Sequence, residues 1–406
     1  MKKIMMMAIA FMASSMAFAG DSDALKAVMK SKNYAEAVQL LKQNLGQMAD
    51  NTEKAKAYNH LVDLAMGTVT KQTAIIAENQ MSVQLGRAAS EIHPYDTLGL
   101  ADAICDAIES AVECDKYDQQ PNAKGKVAPK FSEKNAQRVW AVRHHLVNIG
   151  QDQATNGNKK VALKYWGTFA LSNEEPFFAA QDHSSESDFV AQVAFFAGRY
   201  AYDEGDMEAV RRYLAIAKKD AREKENAVNL ELFAIRHNLK NHADSLKAIN
   251  ELKAMYEAEP ENDAVLDALN GMYDAAKDRA AQNALLDNHL AKYPTSFAAL
   301  ANKGLIAMGD NDAVKGAEWL QKAAASKPDN AVIFTYLGIC YSSLASTTED
   351  SAKSKEYYKQ AIDAFDKAKE LDPDKQMANW GYNRYQAYYG LYGEDDARTK
   401  AAEADR

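Results

Sequence analysis

The sequence predicts an all-α fold, a solenoid of stacked antiparallel helix pairs, and three observations carry that reading. Pro260, Pro294 and Pro328 stand 34 residues apart, and Pro373 follows after 45, one more period plus eleven. Apolar residues between these prolines recur at spacings of three and four, the stripe of a half-buried helix. Glycine (19) and proline (8) are scarce in 406 residues, as helices joined by short turns require.

Residues 1–19 begin with Lys2 and Lys3, run apolar from Ile4 to Phe11 and close on Ala17-Phe18-Ala19 before Gly20. That order reads as a signal peptide cleaved after Ala19, giving a periplasmic or secreted product. The run is too short, and too interrupted by Ser14 and Ser15, to span a bilayer, and no later stretch is apolar enough. Gly20 offers no thiol for lipid attachment, so no membrane insertion is expected after cleavage. Loss of the two lysines makes the formal charge of −9 two units more negative. With no basic tract, that balance argues against nucleic acid as a partner.

Residues 20–185 read as an irregular helical region with divergent hairpins. Ala37 and Leu41 after Asn33-Tyr34, and Ala162, Trp166 and Phe169 after Gly157-Asn158, give its clearest matches to the later pattern. Lys116 to Ser132, with Pro121, Gly125 and Pro129, is the sharpest break and reads as a long surface connection. Its Lys124, Lys126 and Lys130 fit a solvated loop. Cys105 and Cys114 lie about 13 Å apart along one expected helix, beyond disulfide reach. With Cys340 they read as small apolar residues, and no disulfide is expected.

Residues 186–376 hold the regular array. One helix of each unit carries large-x-x-large-small-x-x-aromatic, and the next carries small-x-x-x-large-x-x-small before the proline. The last full unit fits throughout, with Phe334, Leu337, Gly338 and Tyr341, then Ala361, Phe365, Ala368 and Pro373. The preceding unit has Leu300, Gly304 and Ala307, then Gly316, Leu320, Ala323 and Pro328; the one before has Leu266, Leu269 and Tyr273, then Leu286 and Pro294. Small residues let two helices approach closely, and proline, lacking an amide hydrogen, ends each second helix at a fixed length. The eleven extra residues between Tyr341 and Ala361 predict a longer hairpin, with Thr347 and Asp350 spaced as a capping box.

The 34-residue self-similarity and these positions resemble the tetratricopeptide repeat family, in an exported bacterial form. The resemblance implies a right-handed α-α superhelix whose first helices line a concave groove for a protein or peptide. The family's groove positions correspond here to Phe233, His237, Lys240 and Asn241; Ala264, Asp267, Gly271 and Asp274; Ala301, Leu305 and Met308; and Thr335, Ile339 and Ser342. This set departs from the lysine, arginine and asparagine clamp by which some members hold a C-terminal carboxylate. Leu305, Met308 and Ile339 are its candidate anchors. Packing against neighbouring helices of the molecule itself would equally suit these positions.

Residues 377–406 read as a capping helix and tail. Tyr382, Tyr385, Tyr389 and Tyr392 form one helical stripe with Trp380 beside it, either covering the open end of the stack or offering an aromatic platform to a glycan. No phosphate loop, zinc motif, paired Cys-x-x-Cys or nucleophile elbow occurs, so the chain reads as non-enzymatic with no cofactor and no metal site. The adjacent His144 and His145 should point about 100° apart on a helix, one outward and one packed. A helical glycan receptor of the bacterial envelope is the alternative to a protein-binding scaffold.

Overall fold

The structure is a computed structural model that describes residues 20–87, 92–122 and 124–406. The signal peptide read in residues 1–19 lies outside the described residues. Among those described, there is no strand; the chain is α-helical, with short 3-10 turns. It falls into two compact units, Met1–Glu231 and Leu232–Arg406. The sequence pattern itself divides at 185/186 and 376/377.

The first unit contains α1 (Asp23–Lys30), α2 (Tyr34–Asn44), α3 (Asn51–Gln84), α4 (Thr97–Asp118), α5 (Ser132–Arg143), α6 (His145–Thr155), α7 (Lys159–Ser172), α8 (Val190–Asp203) and α9 (Met207–Ala217). Helices α3 and α4 form a long hairpin, and α6/α7 and α8/α9 are shorter pairs. The connection between α4 and α5 is pinned at its end by one carboxylate: Asp118 Oδ2 accepts from the backbone N–H groups of Lys130, Phe131 and Ser132 and from the Ser132 hydroxyl. A buried acid satisfied by four donors gives a fixed start to α5.

The division falls within α10 (Ala221–His237). The second unit continues with α11 (His242–Ala258), α12 (Asp263–Ala275), α13 (Arg279–Lys292), α14 (Phe297–Gly309), α15 (Ala313–Ser326), α16 (Ala331–Thr347), α17 (Ser351–Leu371), α18 (Gly381–Tyr392) and α19 (Ala397–Glu403). Each proline of the 34-residue spacing stands two residues past a second helix, after α11, α13, α15 and α17. The residue before each (Glu259, Tyr293, Lys327 and Asp372) has φ −137°, −125°, −136° and −142° with ψ 74°, 73°, 81° and 66°, the non-helical backbone that a following proline imposes.

Two further sets keep the period. Asn262, Ser296 and Asn330 cap α12, α14 and α16, each accepting from backbone amides in the first turn, and Asp278 and Asp312 cap α13 and α15. Inside the hairpins, the reversal is made by left-handed residues: Gly205 at φ 76°, Lys277 at 56° and Asn311 at 60°.

The small residues sit where helices cross. A Cβ on Gly304 would lie 2.6 Å from Leu320 Cγ, and one on Gly338 would lie 2.7 Å from Phe365 ring carbons. Each first helix thus rests directly on its own second helix, and burial of Leu320 and Phe365 depends on that closeness. The eleven extra residues lengthen α16 and α17 as expected. The cap of α17 is Asp350 alone, because Thr347 is still helical and donates its hydroxyl to Ser343 O. The tail is also helical: α19 packs on α18, burying Thr399 and Ala402.

Candidate functional site

Successive first helices α12, α14 and α16 are neighbours in the second unit, so residues 34 apart form rows across them. The first row does not face outward throughout. Ala301 and Thr335 are buried, Thr335 donating to Ala331 O at 2.9 Å, while Asp267 stays at the surface and accepts from Asn302 Nδ2. Partial desolvation pushes the Asp267 carboxyl up, with the Asp263 charge adding to it and the Asn302 bond and the Arg236 charge opposing it.

Asn302 also accepts from Asn270 Nδ2 at 3.0 Å, and Gln282 Nε2 reaches Asn270 from α13. This relay of amides ties α12, α13 and α14 together. The sequence reading missed it, although Gln282 occupies a position where the repeat usually places a small residue.

The second row is the open one. Gly271 would meet nothing within 4 Å if it carried a Cβ, Leu305 is 38 % exposed, and Ile339 is half-buried over the cluster around Phe365 and Trp380. In the third, Asp274 is exposed, while Met308 is half-buried against Leu320 and its neighbours, with Gly316 beneath it. Met308 is therefore a wall of the core as much as an anchor.

Phe233, 44 % exposed, carries His237 stacked on it with ring centroids 3.9 Å apart. Lys240 and Asn241 leave the helical face altogether. They form the turn before α11, where Asn241 Oδ1 accepts from Asp244 N and Asp244 Oδ2 accepts from Lys240 N. Reciprocal capping accounts for both.

The C-terminal aromatics divide in the same way. Trp380 is 0 % exposed and donates its indole N–H to Asp372 O at 2.8 Å, so it is a core residue and no part of a surface platform. Tyr392 is half-buried beneath the Arg398 guanidinium. Tyr382, 51 % exposed, and Tyr389, 44 % exposed, remain outward with Tyr385 between them, and the Arg406 guanidinium lies 4.9 Å from the Tyr385 ring centre.

The most buried charge escaped sequence reasoning. Arg143 is wholly enclosed, its guanidinium carbon 3.7 Å from the Trp140 ring centre. It donates to Phe169 O at 2.9 Å, Ser172 Oγ at 2.7 Å, Asn173 Oδ1 at 3.1 Å and the buried Glu186 carboxylate. Burial lowers the Arg143 pKa to about 10 and pushes that of Glu186 up, each opposed by the other's charge. These bonds join α5 and α7 to the turn holding Glu186, a structural clamp without an open face.

His144 joins α5 to α6 with helical backbone angles; it is exposed and His145 half-buried, their ring centroids 4.2 Å apart. Burial lowers both pKa values. Among the described residues, no group of three His, Cys, Asp or Glu is arranged to hold a metal, and no helix is long and apolar enough to cross a membrane. The three cysteines are buried and free.

No family model matches the sequence, and no curated protein matches it. Solved structures do show likeness. MamA (residue 41 to the end) from Desulfovibrio magneticus RS-1 is 20% identical, covering 46% of this chain and 97% of its own, with a TM-score of 0.30. The C-terminal part of a TPR repeat-containing protein from Cytophaga hutchinsonii is 11% identical over 63% of this chain and 99% of its own, at 0.35. The TPR domain of P58(IPK) is 11% identical over 91% and 96%, at 0.29. The chain's own paired helices, proline-terminated at a 34-residue period, make it an all-helical repeat array of the tetratricopeptide kind.

Proposed function

We propose that the protein is an exported, non-enzymatic scaffold that holds a segment of a protein partner across α12, α14 and α16. The observation that carries this is the row Gly271, Leu305 and Ile339. It combines an open backbone, an exposed leucine and a half-buried isoleucine on adjacent helices, with Asp267 and Asp274 beside it. A helix or extended strand can approach such small residues closely, and the leucine supplies an apolar anchor. Export rests on the signal-type order of residues 1–19, and the envelope is therefore where the partner is sought.

Affinity capture from an envelope extract tests it. A specific protein is recovered by the wild-type chain and by Val314→Glu, an exposed site on α15, but not by Leu305→Glu. Recovery unchanged by Leu305→Glu contradicts the proposal. The outward Tyr382 and Tyr389, with the half-buried Tyr385 between them, favour a second reading, a glycan platform, and unchanged tyrosine fluorescence across a broad glycan panel would end it.

A further inference from the structure

Helices α2, α3 and α4 enclose a cleft of about 330 Å³ in the first unit. Its floor is apolar, with Leu41 and Leu61 buried and Val38 half-buried. Two rings wall it. Tyr34 is fixed by a 2.9 Å hydrogen bond between its hydroxyl and Ser110 Oγ, and Tyr58 stacks on Tyr117 at 5.6 Å. The third side is α4, whose Asp106, Glu109 and Glu113 follow one another at spacings of three and four.

These acids are not equivalent. Glu113 is paired with Lys116, whereas, among the described residues, the half-buried Asp106 carboxylate accepts no hydrogen bond and forms no ion pair. A carboxylate held in a partly dry cleft without a donor is an unfilled acceptor, since such groups are otherwise satisfied. Lys164 from α7, whose charge acts on Asp106, is bonded to Asp102 instead. Lys42 on α2 stands exposed at the rim and, among the described residues, makes no ion pair.

We infer that this cleft binds a primary alkylammonium group. Its methylene stem would lie on Leu41 and Leu61, its charge against Asp106 and Glu109, and Tyr34 and Tyr58 would present their ring faces. The parts exclude the other ligand classes. An anion would meet three carboxylates, and a purely apolar ligand would cover Asp106 without supplying a donor. An ammonium on a short aliphatic stem satisfies the floor, the rings and the acid together. Burial, with Asp102 and Glu109 adding to it and Lys164 opposing it, raises the Asp106 pKa to about 6, so the carboxylate is charged at pH 7.5.

Such a group is borne either by a free diamine or by a lysine side chain of a protein, and calorimetry with two probes separates these sources. The purified protein is titrated at pH 7.5 with 1,5-diaminopentane and, separately, with doubly blocked lysine (N-acetyl-lysine methylamide); 1-pentanol is the uncharged control. Saturable binding of at least one amine is expected, with none for the alcohol. Binding of both assigns a protein lysine, and binding of the diamine alone a free amine. The near-isosteric Asp106→Asn should weaken binding at least tenfold and Glu109→Gln several-fold, the latter being an exposed change that leaves the fold intact. No saturable heat with either amine, equal binding of 1-pentanol, or affinity unchanged in both variants overturns the assignment.

Discussion

Gly338 and Gly271 both lie within first helices of the second unit, and replacing each by alanine should move stability in opposite directions. Within a helix, the change from glycine to alanine gains about 1 kcal/mol at either position through reduced backbone freedom of the unfolded chain. At Gly271, nothing else happens, because no atom lies within 4 Å of the new methyl. At Gly338, the methyl would stand 2.7–2.8 Å from three ring carbons of Phe365, where carbon contacts settle near 3.5 Å or beyond.

The ring would have to retreat by about 0.8 Å to restore that contact. Phe365 is fully buried among Ala361, Ile362 and Trp380, so its retreat displaces close-packed neighbours. Overpacking of this kind costs about 1–3 kcal/mol. Since the propensity gain is common to both variants, the gap between them isolates that cost. Urea unfolding followed by far-UV circular dichroism at constant slope should give Gly271→Ala the higher midpoint and Gly338→Ala the lower. A gap below about 0.5 kcal/mol, or one reversed in sign, would refute the claim that the first helix rests on Phe365 through that glycine.

Two other perturbations follow from the same packing. Glu186→Gln leaves the enclosed Arg143 charge without its counter-ion and should cost about 3–5 kcal/mol, whereas Arg143→Met with Glu186→Leu should be near neutral, both read by thermal unfolding. Asn330→Ala removes the side-chain acceptor from Ile333 N at the start of α16 and should cost about 1 kcal/mol by urea midpoint, with first-turn amides exchanging faster.

What could be read from the sequence was local. A proline ends its helix through its own ring and its effect on the preceding residue, so Pro260, Pro294, Pro328 and Pro373 mark helix ends from the sequence alone. Gly304 and Gly338 were legible because only a small residue suits a close crossing. The caps Asn262, Ser296 and Asn330 obey the same 34-residue spacing and could have been read by extending it to polar residues.

The enclosure of Arg143 was not legible, since Phe169, Ser172 and Glu186 lie 26 to 43 residues away and no short-range pattern links them. For Trp380 the sequence left packing and platform both open, for a related reason. It starts its helix beside Tyr382, yet its ring turns inward to Asp372, which an aromatic-rich run does not reveal. Lys240 and Asn241 were carried onto the groove by register alone, while the turn claimed them for capping.

Photocrosslinking tests the central claim most directly. A photoreactive amino acid is placed at Leu305 in one version of the protein and at Val314, on the second helix of the same pair, in another. After irradiation in envelope extract, the scaffold account predicts one protein joined covalently through position 305 and absent at 314. Equal labelling at both positions, or labelling at 314 alone, would contradict it.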